Sequence, residues 1–111
     1  MKTVLLFTRN GLGEAPEGLQ QTLVVKYLSL LAQSEDKPSK ILFYADGVKL
    51  VCEGSLVVNW LKLLEEDGVE LVVCSTCLEY FGLMDEVRVG KVGGMPGILA
   101  ALQESDKVVS L

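Results

Sequence analysis

The chain has 111 residues and a mass of 12.0 kDa; half of its residues are hydrophobic and 23% are charged. These values predict one globular domain over residues 1–111 with a single apolar core, and they exclude a disordered chain. The chain has no histidine, which excludes Ser-His-Asp and Cys-His catalysis, and its net charge of −5 opposes binding to nucleic acid or an anionic membrane.

The first third of the chain predicts a strand followed by a helix. Residues 3–8 form an apolar run rich in strand-forming residues, and it ends at the loop signal of residues 10–13. From Pro16 to about Ser34 the apolar residues recur at helical spacing, which predicts an amphipathic helix. Its apolar face would consist of Leu19, Leu23, Tyr27 and Leu31.

The middle of the chain repeats this alternation. A second strand is predicted over residues 41–45 and ends at Asp46-Gly47. Ser55 is typical of the residue that caps a helix, and Gly68 is typical of one that ends it. The apolar face of this second helix would comprise Val57, Trp60, Leu61 and Leu64.

The remaining pattern completes the predicted fold. Residues 69–74 predict a third strand, followed by a short helix from Cys77 to about Phe81. A strand over residues 86–92, a helix over 96–103 and a strand over 107–110 follow. Such alternation predicts an α/β fold: one three-layer α/β/α domain with a mainly parallel five-stranded sheet.

The topology brings the chain's reactive residues to one edge of the sheet. In parallel sheets ligands bind beyond the carboxyl ends of the strands. The segments 8–13, 46–53 and 74–77 follow the first three strands, and the three cysteines (Cys52, Cys74, Cys77) lie in or beside them. We therefore expect the functional site at this edge.

The sequence Cys74-Ser75-Thr76-Cys77 is the clearest candidate for chemistry. Thr76 and Glu79 match the pattern of a capping box, which would place Cys77 at the first position of a helix. Backbone N–H groups and the helix dipole favour a thiolate there, and the thiolate is the form that attacks sulfur. Cys77 is therefore predicted to be the reactive cysteine, whereas Cys74 inside an apolar strand is interpreted as a small buried residue.

Two other uses of this cysteine pair compete with that interpretation. Zinc normally takes four ligands, and besides Cys74 and Cys77 only Cys52 and carboxylates are available within one chain, so no metal site is predicted. The pair could also act as a thiol–disulfide couple, although its position two-thirds along the chain does not match a thioredoxin fold.

Other residues at the same edge are candidates for binding. Lys49 would face the crevice of Cys77 and steady an anionic sulfur species, or form an ordinary solvated turn. Asn10 lies in the loop after the first strand, and Tyr80 would form a wall of the site or a subunit contact. Cys52 would be a second thiol or a small residue before the helix.

The chain resembles the DsrE/DsrF-like family. The similarity is carried by Phe43-Tyr44-Ala45-Asp46-Gly47-Val48-Lys49-Leu50, by the segment from Cys74 to Leu83, and by the closing residues 105–111. Within the family it resembles most the carboxyl-terminal domain of YedF-type proteins, which are linked to selenium metabolism. A TusA-like domain precedes that domain in YedF-type proteins, and here we expect a separate chain to supply it.

The resemblance implies a small α/β sulfur-handling domain, often assembled as a trimer or hexamer. It implies that Cys77 takes sulfur as a persulfide, with Cys74 as a second thiol, and that a separate TusA-like carrier is the donor or acceptor. No cofactor is required for this chemistry. Selenium in place of sulfur is a variant of the same expectation.

Three functions therefore remain open. The first is a persulfide carrier or sulfurtransferase-like protein, the second a non-catalytic assembly or small-ligand-binding module with structural cysteines, and the third a thiol–disulfide oxidoreductase using Cys74 and Cys77.

The residues show no signal-peptide pattern and no apolar run that could span a bilayer, so we expect a cytoplasmic protein.

Overall fold

A computed structural model describes residues 2–111 of the chain. In this part of the chain the strands are β1 (Thr3–Phe7), β2 (Lys40–Phe43), β3 (Glu70–Cys74), β4 (Lys91–Gly93) and β5 (Lys107–Ser110). The α-helices are α1 (Glu17–Gln33), α2 (Val58–Glu66), α3 (Ser75–Phe81) and α4 (Met95–Glu104). Two 3₁₀ helices span Ala45–Val51 and Met84–Glu86.

The five strands form one parallel sheet in the order β4-β3-β2-β1-β5. The chain steps from β1 to β4 in one direction and then returns past the whole sheet to β5. Because such crossovers are right-handed, the return places α4 on the face opposite to the other helices. The predicted mainly parallel five-stranded sheet is confirmed.

The neighbours of β1 confirm that the helices lie on both faces. Leu5 lines a surface cavity together with Tyr27 and Leu31 of α1. The adjacent residue Val4 lines a different cavity together with Ala101 of α4. Successive strand residues point to opposite faces of a sheet, so α1 and α4 cover opposite faces and the predicted three-layer α/β/α arrangement is confirmed.

Two aromatic rings pack together in the core at the carboxyl ends of β1 and β2. Phe7 ends β1 and Phe43 ends β2; the two residues are in register, and their rings stack with centroids 5.6 Å apart. Both side chains are fully buried. Burial of each ring stabilises the fold by roughly 2–3 kcal/mol, which fixes the two strand ends from which the site segments emerge.

The structure differs from two predicted details of the helices. Tyr27 and Leu31 of the predicted α1 face pack against the core, but the buried residues of α1 are Val24 and Leu28, and Leu19 is half exposed. Ser55 does not cap α2: its hydroxyl accepts a hydrogen bond from the Val57 N–H within the preceding turn, and the helix begins three residues after Ser55. A serine of this kind stabilises a local turn as readily as a helix end.

The fourth strand lies later in the chain than its apolar pattern predicts. The predicted strand covers residues 86–92, but β4 is Lys91–Gly93. Residues 86–88 instead pair antiparallel with residues 51–53: the Glu53 N–H donates to the Glu86 carbonyl and the Arg88 N–H donates to the Val51 carbonyl. The alternating residues thus satisfy their backbone groups outside the sheet. Within residues 2–111, no helix is long and apolar enough to cross a membrane.

Candidate functional site

The segments that follow β1, β2 and β3 meet at one edge of the sheet. These strands are neighbours and parallel, so their carboxyl ends lie side by side. A loop follows β1, the 3₁₀ helix Ala45–Val51 follows β2, and α3 follows β3 directly. The second segment, predicted as a loop, is a 3₁₀ helix with four buried residues that packs against α3.

Cys77 is held at this edge by a backbone contact. The Ala45 N–H donates a hydrogen bond to Cys77 Sγ at 3.1 Å. Ala45 has a φ of 53°, and in the described chain it is the one non-glycine residue with a left-handed backbone. This conformation costs roughly 1–2 kcal/mol for an alanine. The strain aims an N–H group at the sulfur of a partly exposed cysteine.

The predicted capping box does not form. α3 begins at Ser75, the flanking residue is Cys74, and no side chain caps the helix. Cys77 is therefore the third residue of the helix, not the first. The strand passes directly into the helix here, which places Thr76 inside the first turn. The pairing of Thr76 with Glu79 that the sequence pattern predicts is wrong for this geometric reason.

The environment of Cys77 raises its pKa. Burial is the largest cause and disfavours the charged thiolate. The Ala45 N–H lowers the pKa of Cys77, and the neighbouring Cys74 thiol raises it again. The net result is a pKa above the ordinary cysteine value, so the expectation of a lowered pKa at a helix start is wrong.

The other two cysteines are shielded from solvent. Cys74 is 0% exposed, in agreement with its interpretation as a buried residue of the strand. Cys52 is also buried, and its thiol donates to the Val48 carbonyl at 3.2 Å. Burial, followed by the charge of Glu86, raises the pKa of Cys52 despite the opposing charge of Arg88.

Lys49 lies beside Phe81, which follows Cys77 by one turn of α3. Lys49 Nζ lies 4.4 Å from the centre of the Phe81 ring and 2.9 Å from Asp46 Oδ1. Phe81 follows Cys77 by four residues, so the two side chains project from the same side of α3. Lys49 therefore lies on the Phe81 side of α3, and its positive charge is shared with the carboxylate of Asp46.

Asn10, in the loop after β1, lies near Lys49. Its backbone carbonyl accepts a hydrogen bond from the side-chain amide of Gln21. Asn10 and Lys49 together line two adjoining cavities, of about 450 Å³ and 410 Å³. Phe81 lines the larger one, and so does Cys52, whereas Cys77 lines neither. A ligand in these cavities would therefore approach Cys77 from the side of Phe81.

Tyr80 lies on the exposed part of α3. Its side chain is 87% exposed, and its ring meets that of Phe81 edge-on with centroids 5.5 Å apart.

The sequence does not identify Ala45 as a site residue, because a left-handed alanine has no sequence signature. The adjacent Asp46-Gly47 pair is the nearest signal, since it marks a sharp change of chain direction.

Residues 2–111 contain no group of three or more histidine, cysteine, aspartate or glutamate side chains that could hold a metal ion. The chemistry available at the edge is that of a thiol beside a backbone N–H, a second buried thiol and a nearby lysine. A parallel α/β domain with these groups beyond the carboxyl ends of its strands belongs to the class of small α/β proteins that carry cysteines at this edge of the sheet.

The comparison with family models makes this more specific. Residues 6–111 match the model of the DsrE/DsrF-like family, and the chain belongs to that family. No curated protein matches the sequence.

Three solved structures share the fold. The YchN protein from E. coli is 15% identical, covers 100% of both chains and superposes with a TM-score of 0.72. MTH1491 from Methanobacterium thermoautotrophicum, a protein of unknown function, is 20% identical with 100% coverage of both chains and a TM-score of 0.67. BT1422 from Bacteroides thetaiotaomicron, also of unknown function, is 16% identical over 99% of this chain and 95% of that one, with a TM-score of 0.67.

Proposed function

We propose that the protein accepts sulfur as a persulfide on Cys77 and passes it to a partner thiol. One observation carries the proposal: of the three cysteines, Cys77 alone is partly exposed, and its sulfur receives a backbone N–H. A hydrogen bond to an ionised acceptor is stronger than one to a neutral acceptor, so this N–H favours an anionic sulfur. Membership of the DsrE/DsrF-like family, which is associated with sulfur relay, supports the same function.

The transfer needs no cofactor. The Cys77 thiolate attacks the outer sulfur of a donor persulfide, a new sulfur–sulfur bond forms on Cys77, and the donor thiol leaves. The acceptor thiolate then attacks the outer sulfur on Cys77 in the same manner and restores the cysteine. The raised pKa of Cys77 limits the first attack, because only the thiolate fraction reacts.

Substitution Cys77→Ser is expected to abolish sulfur loading. Intact-mass measurement immediately after mixing with a small persulfide donor, followed by peptide mapping, would show one added sulfur atom on Cys77 of the parent protein and of Cys74→Ser, and none on Cys77→Ser. Cys52→Ser serves as the matched control and should load as the parent does, because its thiol is buried against the Val48 carbonyl. Absence of added sulfur from both the parent and Cys74→Ser would overturn the proposal and favour a binding or assembly module. The same spectra would reveal selenium by its larger mass when a selenium donor is supplied.

Lys49 is proposed to attract the anionic donor. Substitution Lys49→Gln is expected to slow loading by a persulfide anion about three- to tenfold at low salt, because it removes the positive charge beside Phe81. The loading rate should be measured at low and at high ionic strength, with Lys62→Gln on the exposed surface of α2 as control. An equal rate for Lys49→Gln and the control at low salt would contradict this role.

A small sulfur-carrier protein of the TusA-like kind is proposed as the partner. Tyr80 supports this because its exposed ring projects from the helix that carries Cys77 and is available to a protein surface. Asn10 is proposed to contact a small persulfide donor, or the end of the carrier chain, in the two cavities that it lines together with Lys49. Loading by the carrier should then depend on Tyr80, whereas loading by a small persulfide should not.

A homo-oligomer, a trimer or hexamer, is proposed as the assembled state. Met95 and Leu99 support it: they lie four residues apart on α4, and half of each side chain is exposed. Apolar residues placed in this way commonly cover a subunit contact. Analytical ultracentrifugation would decide between this assembly and a monomer.

We also propose a cytoplasmic location, which is supported by three cysteines without a disulfide. Fractionation of cells would test it.

A further inference from the structure

Cys74 and Cys77 are placed so that their sulfur atoms can react with each other. Cys74 precedes α3 directly and Cys77 is the third residue of the helix. Residues at this spacing have Cα atoms about 5–6 Å apart, inside the range that a disulfide requires. The neighbouring Cys74 thiol also raises the pKa of Cys77, in agreement with this spacing. A buried thiol beside a partly exposed one is the arrangement in which one cysteine can resolve a sulfur species on the other.

We infer that Cys74 resolves the Cys77 persulfide when no acceptor is present and releases its outer sulfur as sulfide, an inference that rests on the proposed loading of Cys77. Cys74 Sγ attacks Cys77 Sγ, a Cys74–Cys77 disulfide forms, and the bond between Cys77 Sγ and the outer sulfur breaks. The outer sulfur leaves as hydrosulfide and takes the proton that Cys74 loses. The outer sulfur is reduced and the Cys74 thiol is oxidised, so no external oxidant is needed.

Burial determines which sulfur atom Cys74 attacks. Cys74 is 0% exposed and therefore approaches Cys77 from inside the protein. Cys77 is partly exposed, so the outer sulfur of its persulfide extends towards solvent, where a donor or acceptor reaches it. Cys74 thus faces the inner sulfur, and attack there expels the outer sulfur as hydrosulfide rather than transferring it to Cys74.

This reaction gives the protein a second activity, the reduction of persulfides to sulfide. Each loaded chain either meets an acceptor thiol in time or discards its sulfur and becomes an inactive disulfide. A dithiol must then reduce the disulfide before Cys77 accepts sulfur again. The competition between transfer and discharge limits the lifetime of the reactive persulfide.

Cys52 provides a matched control within the same chain. It is buried as Cys74 is, but its thiol donates to the Val48 carbonyl and not to Cys77. Removing it changes the number of cysteines without touching the pair. Cys74→Ser and Cys74→Ala both remove the resolving thiol; the alanine variant serves where the buried serine hydroxyl impairs folding.

The test is a single-turnover experiment without oxygen. The parent protein, Cys74→Ser, Cys74→Ala and Cys52→Ser are incubated briefly with cysteine persulfide and separated from it, and intact mass and free sulfide are followed over time. The parent and Cys52→Ser should lose two hydrogens relative to the reduced chain and release one sulfide per loaded chain. Both Cys74 variants should keep the added sulfur at least about tenfold longer.

The outcomes separate the two proposals. If the parent keeps its added sulfur as long as the Cys74 variants do, discharge by Cys74 is wrong while loading of Cys77 stands. If neither the parent nor the Cys74 variants gain sulfur, and no sulfide is released, both proposals fail. A disulfide that forms equally in parent protein kept without donor would show simple oxidation and would also overturn the discharge reaction.

Discussion

Substitution Gly47→Ala is expected to lower the free energy of unfolding by about 3 kcal/mol, at the upper end of what overpacking usually costs. A Cβ atom at Gly47 would lie 2.1 Å from the Phe7 carbonyl oxygen and 2.6 Å from its carbon. Both are backbone atoms, so no side chain can rotate away to make room. The carbonyl is also held in place, because it accepts a hydrogen bond from the Tyr44 N–H at 3.1 Å.

The same substitution should impair the site. To relieve the contact, the 3₁₀ helix Ala45–Val51 has to move away from the end of β1, and Ala45 moves with it. Its N–H then no longer reaches Cys77 Sγ. We therefore expect slower sulfur loading of Gly47→Ala even at temperatures at which the variant is fully folded.

Denaturant unfolding of the parent, Gly47→Ala and Gly18→Ala measures the effect. Gly18 lies on the exposed surface of α1, and an added Cβ there would meet no atom within 4 Å. Alanine is the better helix former, so Gly18→Ala should raise the free energy of unfolding by up to about 1 kcal/mol. A Gly47→Ala variant as stable as the parent would show that the chain approaches Phe7 less closely than described.

The sheet could be predicted because its signals are strong and local. Apolar runs such as residues 3–7 and 70–74 are largely buried, and α2 has clear apolar periodicity. Parallel order and right-handed crossovers then bring the segments after β1, β2 and β3 to one edge. Glycine also marked chain reversals correctly: Gly82 ends α3 with a φ of 69°, a conformation that favours glycine.

The errors arose where tertiary contacts override local pattern. The Thr76–Glu79 spacing is compatible with a capping box, but the direct passage from β3 into α3 moves the helix start to Ser75. Residues 86–88 alternate as a strand does, yet they pair with residues 51–53 outside the sheet. The partner of residues 86–88 is far away in the chain, so local composition and spacing contain no information about that pairing.

Two features of the site also depend on tertiary packing: the role of Ala45, which has no sequence signature, and the direction in which the pKa of Cys77 is shifted. The helix-start argument predicts a lowered pKa from sequence alone. Burial and the adjacent Cys74 thiol, both consequences of packing, reverse the direction. The one favourable group, the Ala45 N–H, comes from a residue 32 positions away in the chain.

The alkylation rate of Cys77 is therefore expected to rise steeply with pH. Below the pKa of a thiol the thiolate fraction grows tenfold for each pH unit, and the raised pKa of Cys77 extends this range. Between about pH 6 and pH 8 the rate should increase close to a hundredfold, without a plateau below about pH 8.5, the ordinary cysteine pKa. Reaction with iodoacetamide, followed by intact mass over short times, measures the rate.

Cys77→Ser is the control for this measurement. The remaining cysteines are buried, so alkylation of the folded variant should be negligible over the same times. A plateau near neutral pH would contradict the raised pKa of Cys77, because it would mean that the Ala45 N–H outweighs burial and the Cys74 thiol. Cys77 without bound sulfur would then react as a thiolate already at neutral pH. With the raised pKa, Cys77 is instead mostly protonated at neutral pH, and the donor must be guided to it, which is the role proposed for Lys49 and Tyr80.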